Sequence, residues 1–266
     1  MSETTKNAVK TADKTAVKTA KPVDKSTSVA KSNGAKKTVR TGAKKPSADT
    51  LRKHREHAAR VVAALEEFYP EAVCALHYEG DPWKLLVMGR LSAQCTDARV
   101  NIVCQSLFEK YPTMEAMAEA DLDELCEAVK PCGLYRTTGT NLRDACRILL
   151  TEYGGRVPDD MDALLALPGV GRKIANLLLG DLYGKPAIVA DTHLICVCGR
   201  LGFYPETLKD PAKVETILSG IVEPAKQSDF CHRVVEFGRD FCSARAPRCA
   251  ECPLQTECAR FQKGLK

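Results

Sequence analysis

Nowhere in the 266 residues does an apolar run approach the roughly 18 residues that a membrane-spanning helix needs, which excludes a membrane span. The first fifty residues lack Leu, Ile and every aromatic residue, and consist mainly of Lys, Thr, Ala, Ser and Val. Such a segment cannot bury enough apolar surface to offset the entropy of ordering it, so residues 1–50 are predicted to form a disordered tail. The tail holds twelve Lys and Arg against four Asp and Glu, a net of +8, while the whole chain carries +5; the remainder is therefore −3. A basic tail with the near-repeat Ala8-Val9-Lys10-Thr11-Ala12 and Ala16-Val17-Lys18-Thr19-Ala20 suits either loose binding of a polyanion by counterion release or a solubilising extension with no partner. Asp13, Asp24 and a single arginine, Arg40, argue against a mitochondrial presequence.

Beyond residue 50, alternating strand-like patterns are nearly absent. Apolar residues recur at intervals of three and four, as in Val61, Val62, Leu65 and Phe68, or Leu142, Ala145, Cys146, Leu149 and Leu150. Breaks fall at Pro70, Gly80-Asp81-Pro82, Pro112, Pro131-Cys132-Gly133, Gly154-Gly155 and Pro158-Asp159-Asp160. The folded part is predicted to be all-α.

There is no secretory signal, and the thirteen cysteines are odd in number, which argues against a disulfide framework and for a reducing compartment. Four of them, Cys242, Cys249, Cys252 and Cys258, follow the pattern C-x6-C-x2-C-x5-C within seventeen residues. Thiolates gathered so closely repel one another, which points to a metal centre between them. A four-cysteine zinc site usually pairs two CxxC knuckles, and only Cys249 and Cys252 form one, so the spacing favours iron–sulfur over zinc.

A second motif is Leu167-Pro168-Gly169-Val170-Gly171-Arg172-Lys173-Ile174-Ala175. One apolar helical run stops at Pro168 and another begins after Gly171. Glycines allow a tight turn, and the following helix start offers unpaired N–H groups at the positive end of its dipole, a geometry suited to a phosphate. This is a helix-hairpin-helix pattern, which meets the DNA backbone without reading sequence. A tight turn between two packed helices is the alternative. Lys173 falls in the first helical turn, where a cation is electrostatically misplaced and the neutral, nucleophilic amine is favoured. A solvated lysine or a phosphate contact is the plainer reading. Ala190-Asp191-Thr192-His193 follows eighteen residues on; Asp191 suits a helix cap, and it could also face a developing positive charge.

LPGVGRKIA, the ADTH segment, LSAQCTD at Leu91 to Asp97, CGLY at Cys132 to Tyr135 and the cysteine quartet stand in the order and spacing of bacterial endonuclease III. Over roughly residues 53 to 262 the chain resembles that family of helix-hairpin-helix DNA glycosylase/AP lyases. The resemblance implies Lys173 as the nucleophile that forms a Schiff base with the sugar, and Asp191 as the carboxylate that steadies the cationic sugar. It implies Gln94 and Leu134 as the side chains filling the gap left by an extruded nucleotide, and hairpin residues Gly169, Val170 and Gly171 at the backbone. It also implies a 4Fe-4S cluster on Cys242, Cys249, Cys252 and Cys258, whose loop offers Arg245 and Arg248 to phosphates. Cys231 lies outside the spacing and is expected to be a buried thiol.

The fold implied is two helical lobes with a cleft between them. Residues 76–186 would form the hairpin lobe and 51–75 with 187–266 the cluster lobe. The implied substrate is duplex DNA with oxidised pyrimidines or abasic sites, met by a monomer in a bacterial cytoplasm, at the nucleoid. Two rivals remain. An adenine-specific mismatch glycosylase would lack the lysine and add a C-terminal domain, whereas Lys173 is present and eight residues follow Cys258. A non-enzymatic DNA-binding protein with structural zinc would not need the Lys173 and Asp191 pair.

Overall fold

Residues 47–264 are described by the structure, a computed structural model, and among them every regular element is helical. The tail expected over 1–50 lies outside the described residues up to position 46. Its last residues are already helical, because Ser47 caps the first helix by accepting the Thr50 N–H, and Asp49 pairs with Arg52 and Lys53 in the first turn. That helix is α1 (Ala48–Phe68), and Ala58, Val61, Val62 and Leu65 form its buried stripe.

α2 (Pro82–Leu91), α3 (Asp97–Lys110), α4 (Met114–Ala118), α5 (Leu122–Val129), α6 (Tyr135–Glu152), α7 (Met161–Ala166) and α8 (Arg172–Tyr183) follow, then α9 (Thr192–Leu201), α10 (Pro211–Ile221), α11 (Gln227–Asp240) and α12 (Ala259–Gln262). Most start on a side-chain cap: Asp81, Thr96, Thr113, Asp121, Asp160, Asp191 and Asp210 each accept N–H groups of the following turn. Each such cap contributes about 1 kcal/mol. α6 and α8 begin differently, at Leu134 and Gly171, with no side-chain cap.

The helices gather in two groups. α6 packs on α4 and α5, and α2 packs on α3, α6 and α8, with α7 against α8; α1 packs on α10 and α11, and α9 on α11 and α12. α8 also meets α11, and one apolar core with Trp83, Phe203, Phe230 and Phe237 runs through both groups. Trp83 is held by donation from its indole N–H to Cys146 Sγ at 3.4 Å.

Polar ties cross between the groups at three further points. Arg172 at the start of α8 forms a two-pronged ion pair with Glu215 of α10, and Arg239 of α11 donates to Asp97 at 2.6 Å. Asp181 of α8, with a side chain only 5% exposed, is hydrogen-bonded to Ser228 at 2.8 Å and His232 at 2.9 Å, both on α11.

Candidate active site

The hairpin between α7 and α8 is made by a proline that ends one helix and two glycines that start the next. Val170 donates its N–H to the Leu167 carbonyl at 3.1 Å and is buried, anchoring the turn. Gly169 sits at φ +78, and a Cβ there would stand 2.6 Å from both Arg90 Nε and Asn141 Nδ2, so glycine is required twice over. Gly171 is exposed and opens α8 without a side-chain cap, leaving first-turn N–H groups available to an anion.

Lys173 is the second residue of α8 and is exposed. It lines a cleft of about 1620 Å³ together with Asp191, Gln94, His193, Asn101 and Arg239. Asp191 is half-buried at the start of α9, and its Oδ1 accepts the Leu194 N–H at 2.7 Å. The cap fixes the carboxylate, and its other oxygen has no hydrogen-bond partner among the described residues. Lys173 and Asp191 thus share one cavity without being paired to each other.

Gln94 is exposed in the loop between α2 and α3 and borders the same cleft. Leu134 is 53% exposed and sits at φ +44, a left-handed conformation that costs a non-glycine residue about 1–2 kcal/mol. The segments carrying these two residues lie together: the short turn Lys130–Cys132 packs on α3, and the Cys132 thiol lies near Cys95. Burial, with Cys95 alongside, pushes the Cys132 thiol up to about 12. Gln94 and Leu134 are therefore presented by one connected edge.

Cys242, Cys249, Cys252 and Cys258 are half-buried and line one cavity with Phe237, Phe241, Phe261 and Arg200. Arg200 donates to Cys242 Sγ at 3.3 Å and to the carbonyls of Cys242, Ser243 and Ala244 at 2.8–3.0 Å. Burial raises the Cys252 thiol to about 11, and the neighbouring cysteines of the quartet add to that rise. Burial raises the Cys242 thiol as well, and a thiol raised in this way ionises readily only with a cation beside it. The four surround a cavity instead of converging on a point: among the described residues no group of three or more His, Cys, Asp or Glu side chains could hold a metal ion.

Arg245 is exposed and has no hydrogen-bond or ion-pair partner among the described residues. Arg248 is engaged by the protein, donating to the Asp240 carbonyl at 2.5 and 2.8 Å, pairing with Glu251 and stacking on Phe241 at 4.8 Å. It ties the loop to α11. Cys231 is buried, its sulfur accepting the Val189 N–H. Arg200, Arg90 and Asp181 are visible in the sequence only as an arginine or aspartate inside an otherwise apolar helical run.

A hairpin flanked by a lysine and a capping aspartate across a cleft defines a class of DNA-repair protein, and comparison with known proteins agrees. The family described as HhH-GPD superfamily base excision DNA repair protein matches residues 87–224. Endonuclease III of Bacillus subtilis (strain 168) is 43% identical over 198 residues, 74% of this chain and 89% of the relative. Endonuclease III of Escherichia coli (strain K12) is 37% identical over 203 residues, 76% of this chain and 95% of the relative. A solved structure of a trapped endonuclease III–DNA covalent intermediate superposes with a TM-score of 0.75 at 38% identity, covering 80% of this chain and 99% of that one. The chain belongs to the HhH-GPD superfamily of base excision DNA repair proteins and, within it, to the endonuclease III family.

Proposed function

We propose that this protein removes oxidised pyrimidines from duplex DNA as an N-glycosylase and nicks the resulting abasic site by β-elimination, with Lys173 as the nucleophile. One observation carries the reading: an exposed lysine at the first turn of the hairpin helix, on the wall of a cleft it shares with a fixed carboxylate. A stacked nucleotide hides its C1′, so the damaged one is extruded into the cleft while Gln94 and Leu134 fill the gap. The hairpin residues Gly169, Val170 and Gly171 hold the backbone phosphate through α8 N–H groups.

Lys173 Nζ attacks C1′ as the glycosidic bond breaks, and the base leaves with a proton. The unpaired oxygen of Asp191 steadies the positive charge that grows on the sugar and helps the amine lose its proton. Ring opening gives a Schiff base; loss of a C2′ proton then expels the 3′ phosphate, and hydrolysis frees the lysine. Apart from the water of that hydrolysis, these steps use only groups of the protein and the DNA.

The four thiols around one apolar-walled cavity suit a 4Fe-4S cluster held by Cys242, Cys249, Cys252 and Cys258, since the cysteines of a cluster bind different irons. With such a cluster bound, the four cysteines would be cross-linked, closing the loop that carries Arg245 toward phosphates. In the same reading 76–186 is the hairpin lobe, 51–75 with 187–266 the cluster lobe, and the enzyme works as a monomer on the nucleoid of a bacterial cytoplasm. No helix among the described residues is long and apolar enough to cross a membrane. The test is strand scission at an oxidised thymine in a duplex: wild type is expected to nick it and Lys173→Gln to leave it intact, whereas equal nicking by both would overturn the proposal.

A further inference from the structure

Arg90 is a charge that the fold buries and leaves unpaired. It lies in the run Leu85–Leu91 of α2, where every neighbour is buried and apolar or glycine, and it is itself only 9% exposed. Its Nε is wholly enclosed without a partner, and among the described residues no carboxylate or carbonyl accepts from any of its nitrogens. The other buried arginines stand beside acceptors, although Arg233 Nη1 is likewise enclosed without a hydrogen bond. Arg200 donates to three carbonyls and a thiol, and Arg233 donates to the Tyr69 carbonyl and faces Glu66 and Asp229.

Burial lowers the pKa of Arg90, yet a guanidinium starts so far above neutrality that it keeps its proton. A buried cation with no counter-charge is costly, and an apolar side chain of similar size would serve the core better. Only Nε is fully enclosed, so the terminal nitrogens reach solvent, but among the described residues no protein group answers the charge and an anion brought to the turn would. The position of Arg90 says why: Nε would lie 2.6 Å, and Cδ 3.0 Å, from a Cβ on the hairpin Gly169. Asn141 Nδ2 reaches the same point at 2.6 Å and has no hydrogen-bond partner among the described residues. Two unanswered donors, one charged, thus back the turn whose other side opens α8.

We propose that Arg90, with Asn141 beside it, is a positioning residue that makes the hairpin turn electropositive from beneath and raises its affinity for a phosphodiester of duplex DNA. This rests on the reading of the hairpin as a phosphate contact. Arg90 acts through the turn, in a low-dielectric setting where a nearby charge is felt more strongly than in water. The fold tolerates the cost because the anion offsets it on binding, so affinity and stability should separate at this residue.

The test uses the full chain and a duplex carrying a stable tetrahydrofuran abasic analogue, with Kd read by fluorescence anisotropy and stability by urea unfolding. At about 50 mM salt Arg90→Met is expected to bind about tenfold more weakly, the deficit narrowing at about 200 mM, with an unfolding midpoint equal to or above wild type. Arg90→Lys, which keeps the charge, should stay within about threefold of wild type. Wild-type affinity for Arg90→Met would overturn the proposal, as would equal weakness of the Met and Lys variants, which would mark a packing role. If Arg90→Met fails to fold, the Lys variant decides: retained affinity supports the charge and a tenfold loss overturns it. Gly171→Pro removes one hairpin N–H and separates the two readings. Weak binding by Gly171→Pro beside normal binding by Arg90→Met leaves the phosphate contact standing and removes Arg90 from it; normal binding by both removes both.

Discussion

Asp191 caps α9, and the charge role proposed for its carboxylate can be separated from that cap. Oδ1 caps α9, while the other oxygen is unpaired beside the cleft. Asp191→Asn keeps a cap acceptor of nearly equal worth and removes the charge. It is expected to lower the single-turnover glycosylase rate by roughly 10²–10³ while moving the urea midpoint little; a rate within threefold of wild type would assign Asp191 to capping alone. Gly169 makes the opposite case, where stability is at stake. Alanine there meets Arg90 Nε and Asn141 Nδ2 at 2.6 Å and must also adopt φ +78. A loss of roughly 2 kcal/mol or more is expected in urea unfolding, from left-handed strain and the clash together.

At the scale of elements, α6 is the unusual helix, since its cap position holds an exposed, left-handed leucine where most helix starts offer Asp, Ser or Thr. A side chain that is strained, apolar and 53% exposed has little to gain from the free protein. Leu134→Gly relieves the strain but adds unfolded-state entropy, so stability should stay within about 1 kcal/mol. Binding to the abasic-analogue duplex should weaken at least tenfold if Leu134 wedges the stack; unchanged Kd would make it a surface leucine. Much at this scale was legible in sequence. Pro168 and the hairpin glycines bound α7 and α8 as the pattern predicts, and Asp191 caps α9 as a residue of that type should. Residues 48–50, expected in the tail, are helical, because Ser47 and Asp49 act through hydrogen bonds that composition alone does not reveal. The roles of Arg248 and Arg200 were not legible either. Arg248 is tied to Asp240, Glu251 and Phe241, and Arg200 reaches loop carbonyls more than forty residues away.

At the scale of the whole molecule, the two helix groups are held across the cleft region by polar ties that no local pattern encodes. Asp181 is the most buried of them. Burial pushes its carboxyl upward, but hydrogen bonds from His232 and Ser228, with a contribution from Cys74, outweigh this and hold it below the ordinary carboxylate value of 3.8. A folded value below the unfolded one means that the stabilisation is complete above about pH 4 and is lost as the pH falls from there through the folded value. The urea midpoint of Asp181→Asn should therefore lie below wild type by a constant amount above about pH 5 and converge with it as the pH falls through the lowered folded value. A gap that persists to the acid end would place the contribution of Asp181 in packing and not in its charge.

All these scales meet at one nitrogen. Duplex DNA with an abasic site, mixed with the full-length protein and reduced by borohydride, should leave the sugar remnant fixed to a single peptide, the one containing Lys173. Mass mapping of the digested complex reads this directly. Label on Lys173 is the predicted result, and label on another lysine or on the amino terminus would contradict the account.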